Sequence, residues 1–194
     1  MGNKQGSDRN RYAGKETVMN LIVCVDSHWG IGKQGKLLVD IPEDKHFFKD
    51  KTMGGVVLGG RKTMESLPGN APLSGRKNIL LTHKQEYSFG NAEVVHSVEE
   101  ALESLKNVPT EQVYIIGGGT VYEAFLPYCE CAYLTKVDCI CQADTFFPNL
   151  DAREDWEVVR KSDTKTYAGM DYWFVTYHKR KMEELLKYEN IPNE

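Results

Sequence analysis

Short apolar runs alternate with helix-like stretches along most of this chain. NLIVCV, Asn20 to Val25, is an unbroken apolar run that predicts a buried strand. A loop with Gly30, Gly32 and Gly35 follows, and a helix opens near Pro42, where proline suits the first helical turn. GVVLG from Gly55 predicts the next strand, with a short helix over Arg61 to Leu67. NILLT from Asn78 and AEVVH from Ala92 predict two more strands. Ser97 and Glu100 form a capping box for a helix that runs to about Lys106. QVYII from Gln112 is a strand ended by Gly117, Gly118 and Gly119, and a helix covers about Thr120 to Leu126. Cys131 to Val137, Trp156 to Arg160 and Tyr172 to Tyr177 close the series as extended runs.

Strand, helix and strand in repetition, with crossovers of about a dozen residues, demand a largely parallel sheet covered on both faces. The last runs have no helix between them and predict an antiparallel C-terminal edge. The expected fold is therefore α/β: one domain over 19–180, a central, mostly parallel sheet and flanking helices. Residues 1–18 are polar and glycine-containing and read as a flexible extension or a cloning remnant, with Met19 a candidate natural start. In the tail over 181–194, KMEELLKY allows a short helix.

Composition narrows the function classes. The chain has 194 residues, 41% hydrophobic and 27% charged, as in an ordinary globular domain. No apolar run approaches the ~20 residues of a membrane span, and the amino terminus has no signal-peptide core, which predicts a cytoplasmic protein. A net charge of −4 without a basic block argues against nucleic-acid or anionic-membrane partners. Five cysteines, an odd number, argue against a disulfide framework. Cys129 through Cys141 reads as one extended segment, which sets Cys129 and Cys139 about 33 Å apart and excludes one tetrahedral zinc site.

The chemistry concentrates in three places. In IPEDKHFF, Asp44, Phe47 and Phe48 fall at i, i+3 and i+4, so one helical face holds a carboxylate beside two rings. The plain reading makes Asp44 a first-turn acid complementing the helix dipole. The functional reading makes it a cleft acid, its pKa raised by burial, that binds a nitrogen-rich ligand. Gly117 to Gly119 lie between strand and helix, where free amides hold phosphate as readily as the glycines make a tight turn. Tyr122 stands where the G-x-G-x-x-G fingerprint needs its last glycine, so the ordinary dinucleotide motif fails. In GGRKT, Arg61 replaces the glycine before Lys62, so a Walker A loop fails as well. Two cations opening a helix oppose its dipole unless an anion sits there; the alternative is a solvated basic turn. Arg76, in the SGRKN turn, is an isolated cation whose plain reading is surface.

Taken together, NLIVCVDSHWGIGKQGKLL, IPEDKHFF, LGGRKTMESLP, LSGRKNILLT, VYIIGGGTVYEAFLP, YLTKVD and ADTFFP resemble the dihydrofolate reductase family, in order, over nearly all of 19–178. The resemblance implies an eight-stranded sheet, NADPH as hydride donor, 7,8-dihydrofolate as acceptor, antifolates as inhibitors and a monomer. It implies Asp44 and Leu37 as catalytic positions, Leu37 in a lid over about 26–40. Asp44, Phe48, Leu73, Arg76, Thr135 and Val23 are the implied substrate contacts, Arg76 pairing with the glutamate α-carboxylate. The implied NADPH contacts are Gly60, Arg61, Lys62, Thr63, Thr82, His83, Gly117, Gly118, Gly119, Thr120 and Ile31, with a cis peptide between the first two glycines of the turn.

Three positions depart from the family pattern. Val39 stands where many members carry Trp, Lys45 at a usually apolar wall position, and Thr120 where some relatives place a phosphate-binding Arg. They bear on antifolate affinity more than on the reaction. Two other readings fit the same pattern: the related ribosylaminopyrimidine reductase of riboflavin biosynthesis, and a catalytically silent folate or nucleotide binder.

Overall fold

A computed structural model describes residues 19–181. The expectations for 1–18 and for a helix after Lys181 lie outside the described residues. The strands are β1 Met19–Val25, β2 Gly30–Lys33, β3 Lys36–Leu37, β4 Val56–Gly60, β5 Lys77–Leu81, β6 Glu93–Val95, β7 Val113–Gly117, β8 Cys129–Val137, β9 Thr145–Phe146, β10 Trp156–Lys161, β11 Lys165–Tyr167 and β12 Met170–Lys179. The α-helices are α1 Pro42–Thr52, α2 Arg61–Glu65, α3 Val98–Leu105 and α4 Gly119–Phe125.

The main sheet runs β10-β12-β8-β1-β7-β4-β5-β6. Contacts from β8 across to β6 are parallel, whereas β12 lies antiparallel to both β8 and β10. This matches the expected mixed architecture. The count differs: β11 adds a ninth strand by folding back on β12, with the turn carried at Ala168 and Gly169, both at positive φ. The Gly30 loop also orders more than its glycines predict. There β2, β3 and β9 form a separate three-stranded sheet. Strands of two to four residues carry too little periodicity to be read from sequence.

β1 is buried at every position but Cys24, which is partly exposed, as a central strand covered on both faces must be. Leu21, Val23 and Val25 enter the larger core with Leu58, Ile115 and Phe125. Ile22 faces the other way, into a second cluster with Val57, Met64, Leu80 and Ile116. Ser97 caps α3 as expected: its hydroxyl accepts from Glu100 N at 3.1 Å, and Glu100 Oε2 accepts from His96 N at 2.7 Å.

One expectation needs correction. The run from Cys129 to Cys141 is not a single extended segment, because β8 stops at Val137. Cys139 N then donates to Val137 O at 2.9 Å and Ala143 N to Cys141 O at 3.0 Å, so the chain turns tightly twice. Among the described residues no group of three or more His, Cys, Asp or Glu side chains is arranged to hold a metal.

Candidate active site

The connections from the centre of the sheet run in opposite directions: β1 leads to β4 on one side, and β7 leads to β8 on the other. Ligands of open parallel sheets bind beyond the carboxyl ends of strands at such a divide. Here those ends bring together Cys24 on β1, Thr135 on β8, Gly59 and Gly60 on β4 and Gly117 on β7. Register sets them side by side, with Cys24 opposite Thr135 and Gly59 opposite Gly117.

α1 supplies one wall. Ile41 precedes Pro42 without a side-chain cap, and Glu43 and Asp44 fill the first turn. Asp44 is partly buried, and burial raises its pKa above the usual carboxylate range. Thr135 and Lys45 pull the other way, and Asp40 adds to the rise. Hydrogen bonding from the Thr135 hydroxyl favours the charged form of Asp44, yet the buried Oγ1 meets no partner within the protein at full hydrogen-bond geometry. A buried polar atom left open beside a buried acid is the form of a site that expects a polar ligand.

One turn along α1, Phe48 packs with Leu73, Leu67 and Ile22, while Phe47 turns to Phe174, ring centroids 4.6 Å apart. A further turn on, the Thr52 hydroxyl donates to Phe48 O at 2.8 Å and accepts from Arg76 Nη1 at 3.1 Å. Asp44, Phe48 and Thr52 therefore form one stripe at i, i+4 and i+8. At 1.5 Å per residue the stripe sets the acid about 12 Å from the residue that holds the guanidinium. Partial burial lowers the pKa of Arg76, which remains a cation.

The glycine turn supplies the opposite wall. Gly117 has φ 105°, and the Gly117–Gly118 peptide is cis, as the family resemblance implies. A Cβ on Gly117 would lie 2.8 Å from the Tyr122 ring, so only glycine fits there. A Cβ on Gly118 would meet only Thr63 Oγ1, at 3.4 Å, which leaves an open cradle between the turn and α2. That cradle, with amides at the start of α4 and Thr63 facing it, fits a pyrophosphate. Gly60 begins α2, and the Gly60–Leu81 pairing brings Thr82 and the exposed His83 alongside. Lys62 and Thr120 are exposed at the rim. Arg61 is engaged inside the protein: Nη1 donates to both oxygens of Glu65, at 2.7 and 2.9 Å, and Tyr87 donates to the same carboxylate at 2.6 Å. Glu65 is thus an anion that offsets this cation at the helix start.

One expected position falls elsewhere. Val23 points into the larger core, away from Phe48 and Leu73, because side chains alternate along β1. Its neighbours Ile22 and Cys24 have the facing that Val23 was expected to have. Cys24 has Asp44 among its charged neighbours, and burial chiefly raises its thiol pKa. Leu37 borders a recess with Cys24, Ile31 and Val39, but its side chain is 69% exposed. Lys45 turns outward to an ion pair with Asp40 at 2.6 Å. Sequence reasoning also missed Tyr122, whose hydroxyl donates to Ile22 O at 2.7 Å and ties α4 to β1. Strict alternation along NLIVCV was the available signal for Ile22 and Cys24; nothing local signalled Tyr122.

A glycine turn facing a half-buried acid across the carboxyl ends of parallel strands defines an α/β enzyme of the nucleotide-dependent kind. The dihydrofolate reductase family model matches residues 18–179. The chain belongs to the dihydrofolate reductase family. The dihydrofolate reductase of Staphylococcus haemolyticus is 36% identical over 166 residues, covering 83% of this chain and 95% of that protein. The bifunctional dihydrofolate reductase-thymidylate synthase of Glycine max is 36% identical over 176 residues, 81% of this chain but 33% of that longer protein. The solved structure of the Enterococcus faecalis dihydrofolate reductase, complexed with NADP(H) and RAB-propyl, superposes with TM-score 0.75 at 31% identity, covering 86% of this chain and 98% of that one.

Proposed function

We propose that the protein reduces 7,8-dihydrofolate to 5,6,7,8-tetrahydrofolate with NADPH. The observation that carries this reading is the α1 stripe. An acid at one end, a guanidinium about 12 Å along and apolar Phe48 and Leu73 between them match a ligand with a nitrogen-rich head, an aromatic middle and a carboxylate tail. A ribosylaminopyrimidine lacks that tail and leaves Arg76 without a purpose, so the folate reading is preferred.

When bound, NADPH supplies the hydride that reaches C6 of the pterin. The chain's own residues do the rest. Asp44 accepts hydrogen bonds from the pterin amino group and adjacent ring nitrogen, and its charge favours the form protonated at N5. The Thr135 hydroxyl completes the polar floor of that pocket. Phe48 and Leu73 exclude water from the ring faces, and Arg76 pairs with the α-carboxylate of the glutamate tail. Amides of the 117–119 turn with Thr63 hold the pyrophosphate. Arg61 and Lys62 take the 2′-phosphate, Arg61 sharing its guanidinium with Glu65. Ile31 and Leu37 line the nicotinamide side when the loop over 26–40 closes.

Residues 19–180 form the reductase domain in this reading, which extends to a cytoplasmic monomer without nucleic-acid or membrane partners. Among the described residues no helix is long and apolar enough to cross a membrane. The deciding measurement is the absorbance of NADPH with and without dihydrofolate. Substrate-dependent oxidation, with NADH a poor substitute, is expected. NADPH oxidation that does not depend on dihydrofolate, or none at all, would refute the assignment.

A further inference from the structure

Two cysteines with no part in the chemistry above meet at the root of the loop over 26–40. The turns after β8 bring the sulfurs of Cys139 and Cys141 to 3.6 Å. An extended strand would hold side chains two residues apart at about 6.6 Å. Both cysteines are partly exposed, and Ile140 between them is 71% exposed, so small reagents reach the pair. An S–S bond needs about 2.05 Å, and side-chain rotation covers the remaining gap of about 1.5 Å.

The same segment anchors the loop. Cys141 N donates to Asp26 Oδ2 at 2.9 Å, and Ser27 N donates to Cys139 O at 2.9 Å. The other oxygen of the buried Asp26 accepts from His28 N at 2.9 Å and Gly30 N at 2.8 Å. A change at Cys141 therefore reaches the first residues of the loop through the Asp26 carboxylate, and one at Cys139 reaches Ser27 directly.

We propose that Cys139 and Cys141 are a vicinal dithiol that a low-molecular-weight disulfide oxidises to an intrachain disulfide, and that closure shifts the Asp26 anchor of the 26–40 loop. In the first step one thiolate of the pair attacks one sulfur of the small disulfide, forming a mixed disulfide and releasing one small thiol. The other cysteine then attacks the protein sulfur of that mixed disulfide, the Cys139–Cys141 bond forms and the second small thiol leaves with its proton. Two electrons pass from the protein dithiol to the small disulfide. Burial, then the neighbouring Cys141, Asp26 and Asp138, push the Cys139 thiol up to about 11. Cys24 lies among the same groups but deeper, and is not the partner.

The test exposes the reduced, full-length protein to oxidised glutathione and maps the products by mass spectrometry after alkylation. A Cys139–Cys141 bond that dithiothreitol reverses is expected, while Cys139→Ser accumulates a glutathione adduct on Cys141. A stable adduct on the parent, a bond to Cys24, or unreacted thiols would overturn the proposal. Amide hydrogen exchange over 26–40 reads the coupling: oxidation is expected to speed exchange at His28 and Gly30 by about threefold or more. The Cys141→Ala protein should show no such response to the oxidant. Closure with unchanged exchange would overturn the link to the loop. Neither readout uses reductase activity, so failure here is distinct from failure of the proposed function.

Discussion

Replacing Asp44 by Asn separates the two roles open to this carboxylate, because they predict opposite signs for stability. Burial raises the folded-state pKa of Asp44 above its unfolded value, against partial opposition from Thr135 and Lys45. Such an acid stabilises the fold fully below its unfolded pKa of about 3.9, and the contribution is lost as pH rises through the raised folded value. At pH 7 the parent holds a charged, partly desolvated group, and Asp44→Asn removes that burden. The variant should melt at or above the parent temperature at neutral pH, and the gap should close in acid. Activity should move the other way. A charge-assisted hydrogen bond contributes ~1.5–3 kcal/mol, about one to two decades in kcat/KM. With the aid to protonation also lost, kcat/KM for dihydrofolate at pH 7 should fall by about 10² or more. Lowering the pH should restore part of the rate, because the substrate then arrives protonated. A dipole-complementing acid predicts a loss of ~0.3–1 kcal/mol and unchanged kinetics. Thermal melts and pH–rate profiles of both proteins decide. A variant within about threefold of the parent at pH 7, or one that melts lower with the same pH profile, would refute the role argued for Asp44.

Gly118→Ala meets only Thr63 Oγ1 at 3.4 Å and should fold normally yet raise the KM for NADPH, whereas Gly119→Ala drives a Cβ to 2.8 Å from Phe146 O and should lower stability by ~1–3 kcal/mol. Melts and NADPH titrations distinguish the two. Arg61→Ala should raise the KM for NADPH and leave that for NADH almost unchanged; equal losses in steady-state assays would remove Arg61 from the 2′-phosphate site. Lys45 faces Asp40, so Lys45→Leu should leave diaminopyrimidine antifolate inhibition constants unaltered, whereas Val39→Trp, at the recess beside Cys24, should change them. Tyr122→Phe deletes a buried hydrogen bond to Ile22 O and should cost ~1–1.5 kcal/mol in chemical denaturation.

The long runs were readable most plainly where they form a buried strand or a capped helix, as NLIVCV and the Ser97–Glu100 box illustrate. β9 and β11 were not, since two or three residues show no period and their pairing depends on distant partners. Within the site, the stripe on α1 follows directly from helical spacing. The facing of β1 was misjudged at Val23 although strict alternation fixes it relative to Ile22 and Cys24. Glu65 is four residues from Arg61, so their pairing follows from helix geometry once α2 is known to start at Arg61. The Tyr122–Ile22 bond, whose partners are 100 positions apart in sequence, exists only in the folded chain. Likewise, the approach of Cys139 to Cys141 depends on turns that period-two alternation had disguised.

Because the acid and the residue that holds the guanidinium sit on the same rod, the spacing of the two ends of the pocket is set by counting residues. Exchanging a side chain along 44–52 leaves that spacing unchanged. An insertion or deletion there is different, since each added residue advances the far end by 1.5 Å and turns it by about 100°. Thr52 would then swing off the face it shares with Asp44, and Arg76 would lose its hydroxyl partner. This stretch should therefore hold its length, whereas the turn around Gly35 and the hairpin tip at Gly169, with open space around them, constrain the chain only through the positive φ that glycine supplies.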